Sequence, residues 1–345
     1  MTGVDKMNSL WLQTPKVKIF SQLQKDISTD VCIIGAGIFG ITTAYYLTQK
    51  GYDVTILERE KIASKVTGHT TAKITSQHGL IYHYLLKQYG LEFAKKYFQA
   101  NQESIEEIQK IIEKNNIECD FENQNSCVYT ANKSELEKID EEIEALKQIN
   151  PQINIIDKSP LPFNIEKGIE FKNQAQFNPI KYINGLVKEI IKNQGKIYEN
   201  TTCYDIKHEN DIYVCYTPKA EVKTKYVVIA THYPFINIPG MYFAKMYQSS
   251  SYVIGIETQQ ELFEGMYINI QSPIYSFRTA KDNGKRILLL GGADHKTGEN
   301  VSYENSYGIL EQKANEWYPN SKIKYRWSTR DCITLDKIPY IGEFS

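Results

Sequence analysis

Three glycines and one acid carry the clearest chemical signal in this 345-residue sequence. Gly35, Gly37 and Gly40 have the spacing of the turn that binds a dinucleotide pyrophosphate, and Glu58 follows about twenty residues later. Backbone N–H groups at the start of a helix bind phosphate oxygens, and a carboxylate accepts hydrogen bonds from ribose hydroxyls. These residue types in this order predict a dinucleotide-binding site rather than a glycine turn without a ligand.

The flanking residues predict the elements that must position this site. Residues 31–34 form a short apolar run, which is typical of a parallel strand buried on both faces. A helical run then extends to Lys50, and a second apolar run leads directly to Glu58. The order of strand, glycine turn, helix, strand and acid is that of a βαβ unit.

The polar loop at 61–79 stands where a nicotinamide domain would begin another βα unit. Thr, Ser, Gly and His predominate in it, with Thr70 and Thr71 near its centre. A flavin dinucleotide needs hydroxyl and backbone donors along its middle, so we interpret both threonines as cofactor-binding residues. The alternative is that one of them is an ordinary helix N-cap.

A second group of residues is expected at the carboxyl edge of the same sheet. The Asn178-Pro179 pair begins a predicted helix that Gly195 ends, and strands are predicted at 197–208, 212–217 and 221–231. The last strand is apolar and ends in Ala230 and Thr231, so we expect it to return to the first sheet. Ligands of open α/β sheets bind at such edges.

Composition excludes several classes of function. The formal net charge is −1, which gives no support for a nucleic-acid partner, and no apolar run is long enough for a transmembrane segment. The N-terminal residues lack the apolar core of a signal peptide, so we expect a cytoplasmic protein. The six cysteines are scattered, which favours isolated thiols over a metal site or a disulfide framework.

Taken together, the motifs resemble those of FAD-dependent oxidoreductases of the D-amino-acid oxidase type, which include glycine oxidase, sarcosine oxidase and glycerol-3-phosphate dehydrogenase. The resemblance covers nearly the whole chain and rests on the segments at 30–40, 58–59, 228–231 and 334–342. The segments at 67–78, 230–235 and 326–331 are similar to a bacterial subgroup that often carries a Rieske iron–sulfur module.

The resemblance implies an α/β fold in which a doubly wound, glutathione-reductase-type FAD-binding domain is interleaved with an α+β substrate domain on an antiparallel sheet. Residues 1–80, 170–235 and 323–345 would form the FAD-binding domain, and 81–169 and 236–322 the substrate domain. Within the former, Arg59 would lie near the adenine, and the backbone at Cys203 would contact it.

The implied activity is oxidation of a small amine, amino acid or hydroxy compound by hydride transfer to flavin N5. Arg278, on a predicted strand, is the candidate anchor for a substrate carboxylate, and His78 and His295 are candidates for the flavin surroundings. The alternatives are a structural ion pair for the arginine and ordinary capping or polar roles for the histidines. An electron-acceptor protein is a further expected partner.

Two features depart from the family pattern. The sequence stops at Ser345, before the glycine-rich turn that opens the family's last helix, so we expect a C-terminally truncated chain. It also has no pairs of Cys and His suited to an iron–sulfur cluster. The second departure is His232 after Ala230 and Thr231, where many relatives have glycine, a change that the subgroup shares. Because of the first departure, a non-catalytic, partial flavin-binding component of an electron-transfer assembly is an alternative function. A nicotinamide-dependent dehydrogenase is a third, but it predicts further βα units after Glu58.

Overall fold

A computed structural model describes residues 8–149, 153–236 and 240–343 of the chain. Contacts between residues divide the chain into two compact units. The first, called here the parallel-sheet unit, comprises Trp11–Thr70, Pro179–Ser250 and Thr329–Ser345. The second, the long-sheet unit, comprises Met1–Leu10, Thr71–Asn178 and Ser251–Ser328.

Fifteen strands, six α-helices and four short 3-10 helices make up the described secondary structure. The strands are β1 (Ile27–Ile34), β2 (Val54–Leu57), β3 (Lys73–Ile74), β4 (Glu122–Thr130), β5 (Asn154–Ile156), β6 (Lys167–Gln176), β7 (Lys196–Tyr198), β8 (Asp205–Glu209), β9 (Ile212–Tyr216), β10 (Glu221–Ile229), β11 (Met246–Glu257), β12 (Met266–Asn269), β13 (Tyr275–Asp282), β14 (Lys285–Lys296) and β15 (Lys322–Thr334). The helices are α1 (Ile38–Gln49), α2 (Ile81–Tyr89), α3 (Leu91–Lys114), α4 (Leu136–Ile149), α5 (Pro179–Lys192) and α6 (Tyr303–Trp317).

The parallel-sheet unit is organised around β1. Its six-stranded sheet has the order β7-β2-β1-β10-β9-β8, and β1 pairs in parallel with both β2 and β10. Cys32 and Ile33 on β1 and Ile56 on β2 are fully buried, as expected of strands covered on both faces. The predicted βαβ unit is thus present, with its strands adjacent and the glycine turn directly after β1.

Residues 11–26, which precede β1, and the helix α5 also belong to the parallel-sheet unit. Trp11 is almost fully buried, and its Nε1 donates a hydrogen bond to the Thr70 carbonyl oxygen at 2.7 Å. Glu199, also fully buried, accepts hydrogen bonds from the Ile62 backbone N–H and from Lys61 Nζ, each at 2.9 Å. These contacts hold the N-terminal arm and the loop after β2 against the sheet.

The long-sheet unit is built on a mostly antiparallel sheet. The strand order is β15-β11-β14-β13-β12-β4-β6-β3, with β5 also pairing with β6, and β4 and β12 form a parallel pair. Alternate residues of β13 lie on opposite faces. Phe277 lies on the face that α6 covers and contacts the Trp317 ring, at 5.4 Å between centroids. Arg278 therefore lies on the other face.

The boundaries of the two units differ from those predicted for the domains. Residues 71–80 and 170–178, predicted in the FAD-binding domain, belong to the long-sheet unit because β3 pairs with β6. Residues 240–250, predicted in the substrate domain, belong to the parallel-sheet unit, where Lys245 accepts a backbone hydrogen bond from Leu335. Residues 323–328, predicted with the FAD-binding domain, belong to the long-sheet unit.

One predicted strand is wrong in length. The strand expected at 197–208 is interrupted after Tyr198 and resumes at Asp205. The intervening segment turns back over the loop after β2, where Thr201 N donates to the Glu58 carbonyl oxygen at 2.8 Å and Asn200 N to that of Glu60. Apolar periodicity did not reveal this break because the segment remains partly buried.

Candidate functional site

The glycine turn after β1 is closely packed against the end of β10. Gly35 has φ of +107°, a conformation that L side chains rarely adopt, and a Cβ there would lie 2.7 Å from the Ala230 carbonyl oxygen. A Cβ on Gly40 would overlap the Gly35 carbonyl oxygen and lie 3.2 Å from Ala230 Cβ. Both positions therefore require glycine, and together they bring the start of α1 close to the sheet.

Among the described residues, one side chain forms a hydrogen bond with the N-terminus of α1. Gly37 is its N-cap and has no side chain to satisfy the first N–H groups of the helix. Thr67 supplies one partner, because its Oγ1 accepts a hydrogen bond from Ile38 N at 3.0 Å. Sequence reasoning named the threonine-rich loop but not this residue; its only signal was its place in the Thr67-Gly-His-Thr-Thr run.

Glu58 lies directly after β2, beside the glycine turn. Its Oε2 accepts a hydrogen bond from Ala36 N at 2.9 Å, and its Oε1 accepts one from Glu60 N at 2.8 Å. Each carboxylate oxygen keeps a further acceptor position. The turn thus fixes the carboxylate in place while leaving it able to accept hydrogen bonds from two hydroxyl groups of a ligand.

The end of β10 contributes an unpartnered hydroxyl. Ala230 N donates to the Ile34 carbonyl oxygen at 2.8 Å, which extends the parallel pairing of β1 and β10. The next residue, Thr231, has a buried Oγ1 with no hydrogen-bond partner among the described residues. A buried hydroxyl of this kind favours a polar ligand at the carboxyl edge of the sheet.

The remaining predicted cofactor residues differ in how accessible they are to a ligand. Arg59 is largely exposed and lies 3.8 Å from Glu60 Oε1, so its guanidinium is accessible. Cys203 is buried in the core of the parallel-sheet unit, and its thiol contacts the Asp205 carbonyl oxygen at 3.4 Å. Only the backbone of Cys203 is therefore suited to contact a ligand. The Thr70 carbonyl is engaged by Trp11.

Arg278 does not fit the predicted role of carboxylate anchor. It is 3% exposed, and its Nη1 donates to the carbonyl oxygens of Thr71 at 2.8 Å and Ala72 at 2.6 Å. Its Nε donates to the Thr279 carbonyl oxygen at 3.1 Å. The guanidinium therefore clamps the Thr71–Ala72 backbone to β13, a structural role of a kind different from the ion pair considered from the sequence.

The two candidate histidines lie in separate parts of the long-sheet unit. His78 is exposed, and its Nδ1 lies 2.9 Å from the Tyr97 hydroxyl on α3. His295, near the end of β14, stacks on Tyr252 with 5.6 Å between ring centroids. These contacts leave the predicted roles of both histidines as predictions.

The residues that the structure describes contain no group of three or more His, Cys, Asp or Glu side chains suited to hold a metal ion. Within the same ranges, no helix combines the length and the apolar character needed to cross a bilayer.

Comparison with known proteins identifies the family. The model of the family described as "FAD dependent oxidoreductase" (DAO) matches residues 30–345. The chain belongs to this family of FAD-dependent oxidoreductases. The predicted fold class and the FAD cofactor are thereby confirmed for this DAO-family chain.

Individual relatives extend the comparison. The DAO-family chain is 37% identical over 335 residues to the "Putative Rieske 2Fe-2S iron-sulfur protein YhfW" of Bacillus subtilis, covering 97% of this chain and 66% of that protein. It is 23% identical to Gamma-glutamylputrescine oxidoreductase of Escherichia coli, covering 94% and 78% of the two chains. The crystal structure of glycine oxidase from Geobacillus kaustophilus matches with a TM-score of 0.71 at 16% identity, covering 92% and 86%.

The residues of the parallel-sheet unit fit the family's cofactor. The N-terminus of α1 offers N–H groups suited to a pyrophosphate, and the carboxylate of Glu58 offers acceptors suited to a ribose. The unpartnered Thr231 hydroxyl lies at the carboxyl edge of the same sheet. These groups come from three chain segments that only the fold brings into one unit.

Proposed function

We propose that the parallel-sheet unit of this DAO-family chain binds FAD and that the protein oxidises a small amine or amino acid. Gly35, Gly37 and Gly40 would form the pyrophosphate turn, and Glu58 would bind the adenosine ribose. The observation that carries the proposal is the Glu58 carboxylate, which two backbone N–H groups fix beside the glycine turn. When bound, FAD would supply the hydride acceptor at its N5 atom.

Further residues are assigned to the cofactor with less direct support. Thr70 would line the middle of the dinucleotide, and Arg59 would lie near the adenine. The assignment of Thr71, a residue of the long-sheet unit, stays a prediction. Ala230 and Thr231 would border the same ligand at the end of β10. The unpartnered Oγ1 of Thr231 supports this assignment, because a cofactor oxygen or nitrogen would satisfy it.

The substrate class is supported by the names of two relatives. One is named for γ-glutamylputrescine and the other for glycine, and both compounds carry an amino group. Hydride transfer from such a substrate needs a neutral amine nitrogen beside the C–H bond that is oxidised, and the protein must hold that C–H bond near the flavin. We assign substrate binding to the long-sheet unit; hydroxy compounds remain the alternative substrates.

An absorption spectrum tests the proposal directly. The purified protein is measured before and after addition of FAD, and the FAD-loaded protein is then mixed anaerobically with amines, amino acids and hydroxy acids. We expect stoichiometric flavin absorbance, which an amine or amino acid bleaches. A protein that stays colourless with excess FAD would refute the cofactor assignment, and bleaching by hydroxy acids alone would refute the substrate class.

A second candidate function is a flavin-binding component of an electron-transfer assembly. Its support is the relative named as a putative Rieske iron–sulfur protein, of which this chain spans 66%. An iron–sulfur protein would then accept the electrons. Flavin absorbance that no small donor bleaches, but that reappears when chemically reduced protein is mixed with an oxidised iron–sulfur protein, would favour this function.

A further inference from the structure

Lys73 begins β3 and stands at the end of a row of polar residues across three strands. It lies opposite Gln176 on β6, and Gln176 lies opposite Glu122 on β4. Residues directly opposite each other on paired strands share a face of the sheet and have Cβ atoms about 5 Å apart. The row therefore places an amine, a carboxamide and a carboxylate in sequence on one face.

The carboxylate of this row, Glu122, already forms two ion pairs and a hydrogen bond. Glu122 Oε1 lies 3.1 Å from both Arg286 Nη2 and Lys281 Nζ. Its Oε2 accepts a hydrogen bond from Gln176 Nε2 at 2.9 Å. This last contact fixes the orientation of the carboxamide, and Gln176 Oε1 is left buried with no hydrogen-bond partner among the described residues.

The contacts of Lys73 do little to stabilise a positive charge on its Nζ. Its Nζ donates to the Tyr267 carbonyl oxygen at 3.4 Å, and across the described ranges it forms no ion pair. Arg278 Nη1 contacts the carbonyl oxygen of Ala72, the residue before Lys73, so a guanidinium charge is fixed beside it. Burial, and then the charge of Arg278, lower the pKa of Lys73 to about 7. Near neutral pH, a large fraction of the molecules therefore carries a free amine here.

We propose that Lys73 is a proton acceptor of this protein, taking the proton that a substrate ammonium must lose before its neighbouring C–H bond is oxidised. This inference rests on the proposed function, because it requires an amine substrate. In the step, one N–H bond of the substrate breaks and one N–H bond forms at Lys73 Nζ. The positive charge moves to Lys73 and no electrons are transferred. Gln176 Oε1 would accept a second N–H of the ammonium.

The ionisation of Lys73 is measured first, without relying on turnover. FAD-loaded protein is labelled competitively with acetic anhydride from about pH 5 to about pH 11, and the modified lysines are quantified by mass spectrometry. We expect a midpoint near 7 for Lys73, against the ordinary lysine value of about 10.4. A midpoint above about 9 would overturn the proposal.

Two variants of Arg278 separate the effect of its charge from the effect of its hydrogen bonds to the backbone at Thr71 and Ala72. Arg278→Met removes the charge and should raise the Lys73 midpoint, whereas Arg278→Lys keeps a charge and should leave it low. Equal midpoints in both variants would show that the charge of Arg278 does not hold Lys73 neutral. If either variant fails to fold, the wild-type midpoint still decides whether Lys73 is neutral.

The role in turnover is tested with Lys73→Met and Lys73→Arg, after equal FAD content has been verified. If Lys73 is the proton acceptor, the acidic limb of the kcat/KM pH profile near pH 7 should disappear in both variants. Methionine cannot accept a proton, and arginine stays protonated. A structural role predicts rescue by arginine, and rescue would overturn the proposal. Wild-type protein that oxidises no amine overturns the proposed function itself. Amine oxidation with an unchanged pH profile in Lys73→Met overturns this inference alone.

Discussion

Glu58→Gln tests the proposed ribose site at the atom on which it depends. The native carboxylate accepts the Ala36 N–H on Oε2 and the Glu60 N–H on Oε1. A carboxamide has one acceptor oxygen, so one of these N–H groups would face an NH2 donor. The variant also presents one acceptor atom in place of two to the ribose hydroxyls.

The magnitude follows from the hydrogen bonds that are lost. A hydrogen bond to a charged group contributes about 1.5–3 kcal/mol, so losing one to the ribose should weaken FAD binding by roughly 10- to 150-fold. The unpaired backbone N–H should lower the free energy of unfolding by about 1–3 kcal/mol. Fluorescence titration of the apoprotein with FAD measures the first quantity, and urea unfolding measures the second.

Glu60→Gln is the matched control for this experiment. Its side chain is partly exposed and pairs with Lys65 Nζ at 2.7 Å, while its backbone N–H still donates to Glu58. We expect FAD affinity within about twofold of the wild type, as for other surface substitutions. If folded Glu58→Gln also binds FAD within twofold of the wild type, the carboxylate does not bind the ribose and the reasoning is refuted.

Three further predictions concern single side chains. Thr231→Val should leave apoprotein stability nearly unchanged, because Thr231 Oγ1 forms no hydrogen bond within the described part of the chain. It should weaken FAD binding about fivefold in the same titration, and equal affinity would contradict the assignment. Glu142 is fully buried, and its pKa is raised by burial to about 7. Between pH 4.5 and about 7 the native state therefore binds one proton more than the unfolded state at this carboxyl group. The free energy of unfolding in urea should fall by at most about 3 kcal/mol as the pH rises through this range, and Glu142→Gln should reduce this pH dependence. Glu199→Ala should lower the free energy of unfolding by about 3 kcal/mol because it leaves the Ile62 N–H unpaired, and a loss under about 1 kcal/mol would show that this contact is not structural.

The sequence predicted the local parts of the candidate site. The apolar run of β1, the glycine spacing and the acid after β2 all lie within thirty residues, roughly the length of a βαβ unit, so a single supersecondary motif carries them. The helix after Asn178 was predicted for the same reason, since its cap and its apolar stripe are both local. By contrast, the break after Tyr198 depends on backbone contacts with the loop after β2.

Arg278 shows most clearly why residue type alone was insufficient. An arginine on a strand of the predicted substrate domain is chemically suited to a carboxylate, and nothing in its neighbours indicated otherwise. Its actual partners are carbonyl groups about two hundred residues earlier in the chain, at Thr71 and Ala72. The same fold places its charge beside Lys73, a residue that the sequence did not distinguish from the other lysines.

The sequence by itself determined the dinucleotide-binding βαβ unit, because glycine spacing, apolar runs and a terminal acid are local properties of the chain. The resemblance of its motifs to a known family indicated FAD as the cofactor. Tertiary structure alone decided that Gly35 packs on Ala230 and that the hydroxyl of Thr231 has no hydrogen-bond partner among the described residues. It also decided that Arg278 binds backbone carbonyl groups and that its guanidinium charge lies close to Lys73. The physical reason is that burial and the distances between charges depend on residues far apart in sequence, and these set hydrogen-bond satisfaction and pKa.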